Sequence, residues 1–293
     1  MLIDFHTHTF PDKIAASAIS KLAATADTRP HTNGTSKALT QATAVNGLDY
    51  SVVLPIATKP SQTNSINERA VWQNRLSSST RLISLGTIHP DNEDYSYILK
   101  SLRESGIIGI KIHPVYQRTF IDDERFMNII ACAESLDMFT VAHGGYDIGF
   151  PGLDLVSPEH ISNVMKKIRP KHLILAHMGG WGCWDEVENT LLEDDFTREN
   201  IYLDTAFCLR PEDDSGIGGN TIFLDNEQFV RIVKKIGAHR VLFGTDSPWS
   251  DQGDSLKVIK KSGLSPDELS LILGENAAKI LGISIDASAG SPS

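Results

Sequence analysis

The chain is poor in several features that would assign it to a class at once. It has only three cysteines, Cys132, Cys183 and Cys208, an odd number with no C-x-x-C spacing. That excludes a disulfide framework and fits a reducing compartment. Basic residues are outnumbered, with 27 Lys and Arg against 37 Asp and Glu and a formal net charge of -10. A phosphate backbone calls for a basic surface, so no nucleic-acid partner is expected. An anionic small molecule is still compatible as substrate, because a pocket can be locally positive. No apolar run approaches the roughly 18 residues of a membrane span. The start, Met1-Leu2-Ile3-Asp4-Phe5-His6, lacks the basic segment and long apolar stretch of a signal peptide. The expectation is a cytoplasmic protein with no membrane partner. Also missing is a Gly-x-Gly-x-x-Gly turn after the first apolar run, which argues against a dinucleotide-binding Rossmann fold.

What is present is a regular alternation. Short apolar runs at 2–5, 50–55, 82–88, 107–112, 138–142, 173–176, 201–204 and 240–244 read as strands. Helical patterns stand between them, among them 12–26, 65–76, 95–105, 122–136 and 226–236. Two more helices close the chain, the second opening on Ser265-Pro266-Asp267-Glu268 with capping-box spacing. Strands that alternate with helices need a parallel sheet. Eight such units predict an α/β fold, a (β/α)8 TIM barrel, spanning 1–285 as a single domain, with 286–293 a disordered tail. A core from 41% hydrophobic residues needs no staples at this length. A homodimer is the default assembly.

A barrel of this kind keeps its chemistry at the C-terminal ends of its strands. Six of the ten histidines sit there: His6, His8, His89, His113, His143 and His177. Asp246 follows the eighth strand, and Lys111 precedes His113 by two. The other four histidines have plain explanations: His31 is in a loop, His160 in a helix's first turn, and His172 and His239 at strand beginnings. His6 and His8, at i and i+2 on an extended segment, share a face and can reach one divalent transition metal.

His6-Thr7-His8, His143-Gly144-Gly145, His177-Met178-Gly179-Gly180 and Gly244-Thr245-Asp246-Ser247-Pro248 resemble the strand-end motifs of the amidohydrolase superfamily. Together with Gly274-Glu275-Asn276-Ala277-Ala278 they are most similar to its amidohydrolase-related branch, the metal-dependent enzymes like aminocarboxymuconate semialdehyde decarboxylase. The resemblance spans 2 to about 282. It implies one Zn2+ held by His6, His8, His143 and Asp246, with a position left for water; the ligand types do not exclude Mn2+ or Fe2+. It implies that Asp246 also takes the water's proton and that His177 is a general acid/base. The competing role for His177 is a second metal ligand. Some members carboxylate a fourth-strand lysine and hold two ions with it. Lys111 would do that here, or stay cationic and bind a substrate carboxylate.

His113 shares the face of Lys111, and is read as a substrate contact or as support for a ligand. Tyr146, Trp181 and Arg210 are further candidates for substrate binding, the tyrosine from a Gly-rich loop, the tryptophan as an apolar wall and the arginine as a carboxylate clamp in the long loop after the seventh strand. Cys183 reads as a bystander, and His89 as structural or functional alike. The main functional expectation is hydrolysis of a small carboxylate-bearing amide, ester or lactone by metal-activated water. The alternative is non-oxidative decarboxylation of an unsaturated or aromatic acid. A third reading, from another class, is a catalytically silent scaffold, which the intact ligand set argues against.

Overall fold

A computed structural model describes residues 1–213, 217–219 and 221–284. The tail expected to be disordered, 286–293, lies outside these residues, as does Asn220 in the long loop. Nine short strands run in chain order: β1 Ile3–Thr7, β2 Tyr50–Val53, β3 Leu82–Ser84, β4 Gly86–Thr87, β5 Gly109–Ile112, β6 Phe139–Ala142, β7 Leu173–Leu175, β8 Ile201–Asp204 and β9 Val241–Leu242. Every ladder is parallel and joins consecutive strands, as helical crossovers require. Nearly all strand residues are buried, the mark of a sheet covered on both faces.

The strands fall into two ladders, β1 to β3 and β4 to β9. The run expected as one strand at 82–88 is therefore two, interrupted at Leu85. The break is small, because the Leu85 amide still donates to Val53 O at 3.0 Å. At the other seam the Phe5 amide donates to Phe243 O at 2.7 Å, and the Asp246 amide to His6 O at 2.8 Å. The architecture is the (β/α)8 TIM barrel that the alternation predicts.

Two apolar layers hold it. Inside the ring, Ile3, Phe5, Val52, Leu85, Phe139 and Val141 form a plug. Their strand neighbours Ile110, Ile112, Leu173, Leu203 and Phe243 face outward into a larger cluster with the helices. Inward and outward residues alternate along each strand, so Lys111, between Ile110 and Ile112, is turned into the ring. Gly109, two before it, gives the Phe139 ring its place, since a Cβ there would lie 2.5 Å from it. The helices end where capping chemistry stops them. Asp225 accepts from the Glu227 and Gln228 amides at the start of Asn226–Ile236, and Ser265 with Glu268 forms the expected capping box. The plug fills the lower barrel and leaves the upper ends of the strands to carry polar groups.

Candidate metal centre

Five imidazoles stand around the cavity at this upper rim, and four of them are pinned by an acceptor at one ring nitrogen. His6 Nδ1 donates to the Asp204 carboxylate at 2.8 Å. His8 Nδ1 donates to Leu54 O at 2.8 Å, His177 Nδ1 to Ala206 O at 2.8 Å, and His143 Nε2 to Tyr146 O at 2.9 Å. Carbonyls and carboxylates only accept, so each pinned nitrogen carries the proton of the neutral ring. The other nitrogen of each ring is then a bare lone pair. These lone pairs meet in twos: His6 Nε2 lies 3.2 Å from His8 Nε2, and His143 Nδ1 lies 3.1 Å from His177 Nε2. Facing lone pairs repel unless a cation stands between them.

Asp246 completes the first pair, with Oδ1 3.0 Å from His8 Nε2 and 3.5 Å from His6 Nε2. Separations of this size are what metal bonds of about 2.1 Å at near-tetrahedral angles leave between ligand atoms. The donor set therefore fits a divalent transition metal. Of the four ligands that the resemblance implies, His6, His8 and Asp246 converge within 4.8 Å. His143 falls instead into a group with His113 and Asp147, and its bare nitrogen faces His177. The two groups adjoin, with the His6 and His177 ring centroids 5.2 Å apart.

Local backbone structure holds the ligands. The register of β1 shifts between Asp4 and Thr7, an irregularity that re-aims side chains around His6. His177 and Asp246 adopt left-handed φ of 59° and 67°, a costly geometry for residues other than glycine and one that clusters at functional sites. Asp4 fixes the loop after β9: it accepts from Thr245 Oγ1 at 2.6 Å and from Gln252 Nε2 at 2.7 Å. Asp204, at the end of β8, also accepts from the His177 amide at 3.0 Å. One carboxylate thus orients two of the four pinned imidazoles.

Charge follows burial. Desolvation lowers the His6 pKa to about 4 and pushes His143 and His113 well below the usual imidazole range, so these rings are neutral near pH 7. Burial also works to raise Asp204 and Asp246, but the surrounding histidines outweigh it. Asp204 falls to about 2, and Asp246 lies well below the ordinary carboxylate range. Burial, with the nearby charge of Asp246 adding to it, lifts Asp147 to about 6. Lys111 is only 1% exposed, and its Nζ has no hydrogen-bond partner. Desolvation draws its pKa down to about 8, against the pull of Asp204 and Asp246. An orphaned buried amine is a large local cost and calls for an anionic partner.

These groups form the floor of a cavity of about 560 Å3. His6, His8, Lys111, His113, His143, His177 and Asp246 all line it, beside Asp147. Its walls are mostly apolar, from Phe10, Ile14, Leu22, Ile66, Phe207 and Trp249. His113 stacks on His143 at 4.1 Å and is held by Gln117, whose side chain also ties Ala57 O and Ile88 O together.

Three expected substrate contacts lie elsewhere. Trp181 is buried below the loop, where its backbone bridges Gly144 and Tyr146; Gly145, at φ 79°, leaves no room for a Cβ against it. Tyr146 turns outward and is 37% exposed. Arg210 lies over the Phe223 ring at 4.9 Å and lines a separate surface depression. Cys183 is buried away from the cavity, and desolvation pushes its thiol up to about 11, which keeps it protonated. His89 stands outside the cavity and accepts from the Asp91 amide. Sequence reasoning passed over Asp204, although it ends β8. It also passed over Arg69 and Gln73, which line the cavity from a helix.

A family model described as amidohydrolase matches residues 3–283. No curated protein matches the chain. Among solved structures it is similar to 5-carboxyvanillate decarboxylase from Sphingomonas paucimobilis, at 15% identity over 97% of this chain and 99% of that one, with a TM-score of 0.63. It is similar to a dihydroxybenzoic acid decarboxylase from Polaromonas sp. JS666 with bound manganese, at 13% identity over 96% of each chain and a TM-score of 0.67. It is also similar to a probable 2-pyrone-4,6-dicarboxylic acid hydrolase from Acinetobacter baumannii, at 15% identity over 96% and 99% of the chains and a TM-score of 0.63. At these identities the likeness is one of fold.

Proposed function

The chain belongs to the amidohydrolase family, and from that premise we propose that it is a metal-dependent, non-oxidative decarboxylase of a small aromatic or unsaturated acid. The carrying observation is the unpartnered Lys111 amine at the floor of a mainly apolar cavity, beside imidazoles with bare nitrogens. A planar acid suits both halves of that cavity, its ring on the apolar walls and its carboxylate near Lys111.

His6, His8 and Asp246 would hold a divalent ion, Zn2+ or Mn2+ by donor type. When bound, it would supply a Lewis acid that polarises a substrate oxygen. Lys111 binds the acid, and its charge keeps the leaving carboxylate ionised. Loss of CO2 leaves the bonding electrons on the ring carbon, which then needs a proton. Asp147 is the proposed donor: it is buried, lines the cavity, and has a pKa of about 6, close to the working range of a general acid. His113 Nε2 lies 3.5 Å from Asp147 Oδ2.

A second reading, hydrolysis of a carboxylate-bearing lactone, ester or amide, rests on His177. Its Nδ1 is fixed on Ala206 O, so its Nε2 is a ready base for water. A panel of hydroxylated aromatic acids and lactones, offered to metal-loaded protein, separates the two. The decarboxylase reading expects CO2 release that stops when the metal is stripped. Acid release from lactones with no CO2 from any acid would replace it with the hydrolase reading.

A further inference from the structure

The helix Thr63–Asn74 brings a different chemistry to the same cavity. Ile66, Arg69, Ala70 and Gln73 line it at i, i+3, i+4 and i+7, one face of the helix. Two of these residues carry unspent hydrogen-bond donors. Arg69 Nη2 donates to Phe10 O at 3.1 Å and to Ser36 Oγ at 3.0 Å, both neutral acceptors. Among the described residues its Nε and Nη1 make no hydrogen bond, and no carboxylate pairs with it; Asp12 acts only at longer range. Arg125, Arg198 and Arg231 all sit against acids. Arg240, also half-buried and without an acid, lies over the Tyr202 ring at 5.1 Å, whereas Arg69 has no ring against it among the described residues.

Gln73, one turn further on, is 4% exposed. Its Oε1 accepts from Ser36 Oγ at 3.2 Å, while its Nε2 is buried with no partner. Ser36 thereby fixes both side chains at the cavity wall, with Arg69 Nε and Nη1 and Gln73 Nε2 left without a partner among the described residues. Donors from a cation and an amide, with no acceptor of their own, describe a carboxylate subsite.

We propose that Arg69 and Gln73 form a second anion subsite, which selects substrates carrying a second carboxylate away from the reacting one. This rests on the reading that the substrate is an acid held at Lys111. It makes the helix Thr63–Asn74 the element that sets specificity, while the strand ends carry the reaction. Neutral or monocarboxylate compounds leave both residues unsatisfied and are discriminated against for that reason.

The test is calorimetric binding of two inert probes, isophthalate and benzoate, to the metal-loaded full chain. Isophthalate is expected to bind about 10- to 100-fold more tightly, the scale of a charge-assisted hydrogen-bond pair. Arg69→Gln should erase that preference and leave benzoate within about twofold. Because Arg69 also holds Phe10 and Ser36, Gln73→Met serves as an independent variant, expected to lower isophthalate affinity several-fold without moving benzoate. Equal affinity for the two probes, or variants that weaken both alike, would overturn the proposal. Isophthalate preference with no CO2 from the acid panel would sink the decarboxylase reading and keep the subsite. CO2 release from monoacids without that preference would do the reverse.

Discussion

The two ends of the barrel use histidine in opposite ways. At the lower end, His172 precedes β7, half of its side chain meets solvent, and its Nδ1 pairs with the side-chain carboxylate of Glu134 at 3.0 Å. At the upper end, three of the four pinned imidazoles are held by main-chain carbonyls and the fourth by buried Asp204. A side-chain partner on the surface can follow the ring as it turns. A carbonyl in the scaffold cannot, so it fixes both the tautomer and the direction of the free lone pair. The residue type is the same, and the partner of one ring nitrogen decides whether the other is held as a fixed, bare donor.

Variants at the two ends should break this contrast unequally. Asp246→Asn removes the charge that faces the His6–His8 pair, and turnover is expected to fall by more than about 10³-fold. Elemental analysis beside the rate assay checks that the ion is lost with it; a fully active variant would refute the assignment. Lys111→Met removes the orphaned amine at similar volume. The KM for the acid substrate should rise about 10- to 100-fold, while thermal melts show equal or greater stability because an unpaired buried amine is gone. Asp204→Asn keeps the shape around His6 but weakens its orienting bond, and chelator competition should show metal affinity about 10- to 100-fold lower.

The same carboxylate predicts an acid limb. Its folded pKa of about 2 lies below the ordinary value of 3.8. The unfolded chain therefore binds more protons between those values, so the stability from Asp204 is present above the upper one and lost as pH falls through the lower. Acid titration followed by circular dichroism should show a shallower slope in Asp204→Asn. The smallest effect belongs to the lower rim: His172→Ala should stay within about 0.5 kcal/mol of the parent and leave metal affinity unchanged.

The barrel was legible because its information is one-dimensional. An apolar run that ends in a polar residue marks both a strand and its rim, which placed His6, His8, His113, His143, His177 and Asp246 around one cavity. The break at Leu85 was hidden, because a two-residue ladder has no pattern of its own. Loop residues were harder. Trp181 looked like a wall but is drawn under the loop by backbone bonds to Gly144 and Tyr146, and those partners are 35 or more residues away in the chain. Arg69 and Gln73 read as ordinary polar positions of a helix. Only the packing of that helix against β3 and β4 brings their face to the cavity. Specificity was therefore less visible than chemistry, because it depends on how elements pack and not on where they end.

The seam between β1 and the loop after β9 has a consequence for how the chain is made. Asp4 grips Thr245 across 241 residues, and Asp246 donates its amide to His6. His6 and His8 thus leave the ribosome well before their carboxylate partner, Asp246. Until it arrives the pair offers an ion two nitrogens and no charge. On the proposed metal assignment, tight uptake would report a chain synthesised past β9 with its seam shut. Once loaded, the ion favours that shut form by mass action. A chain that stops short of Asp246 is expected to hold the ion less tightly, which would let metal affinity report whether the seam has closed.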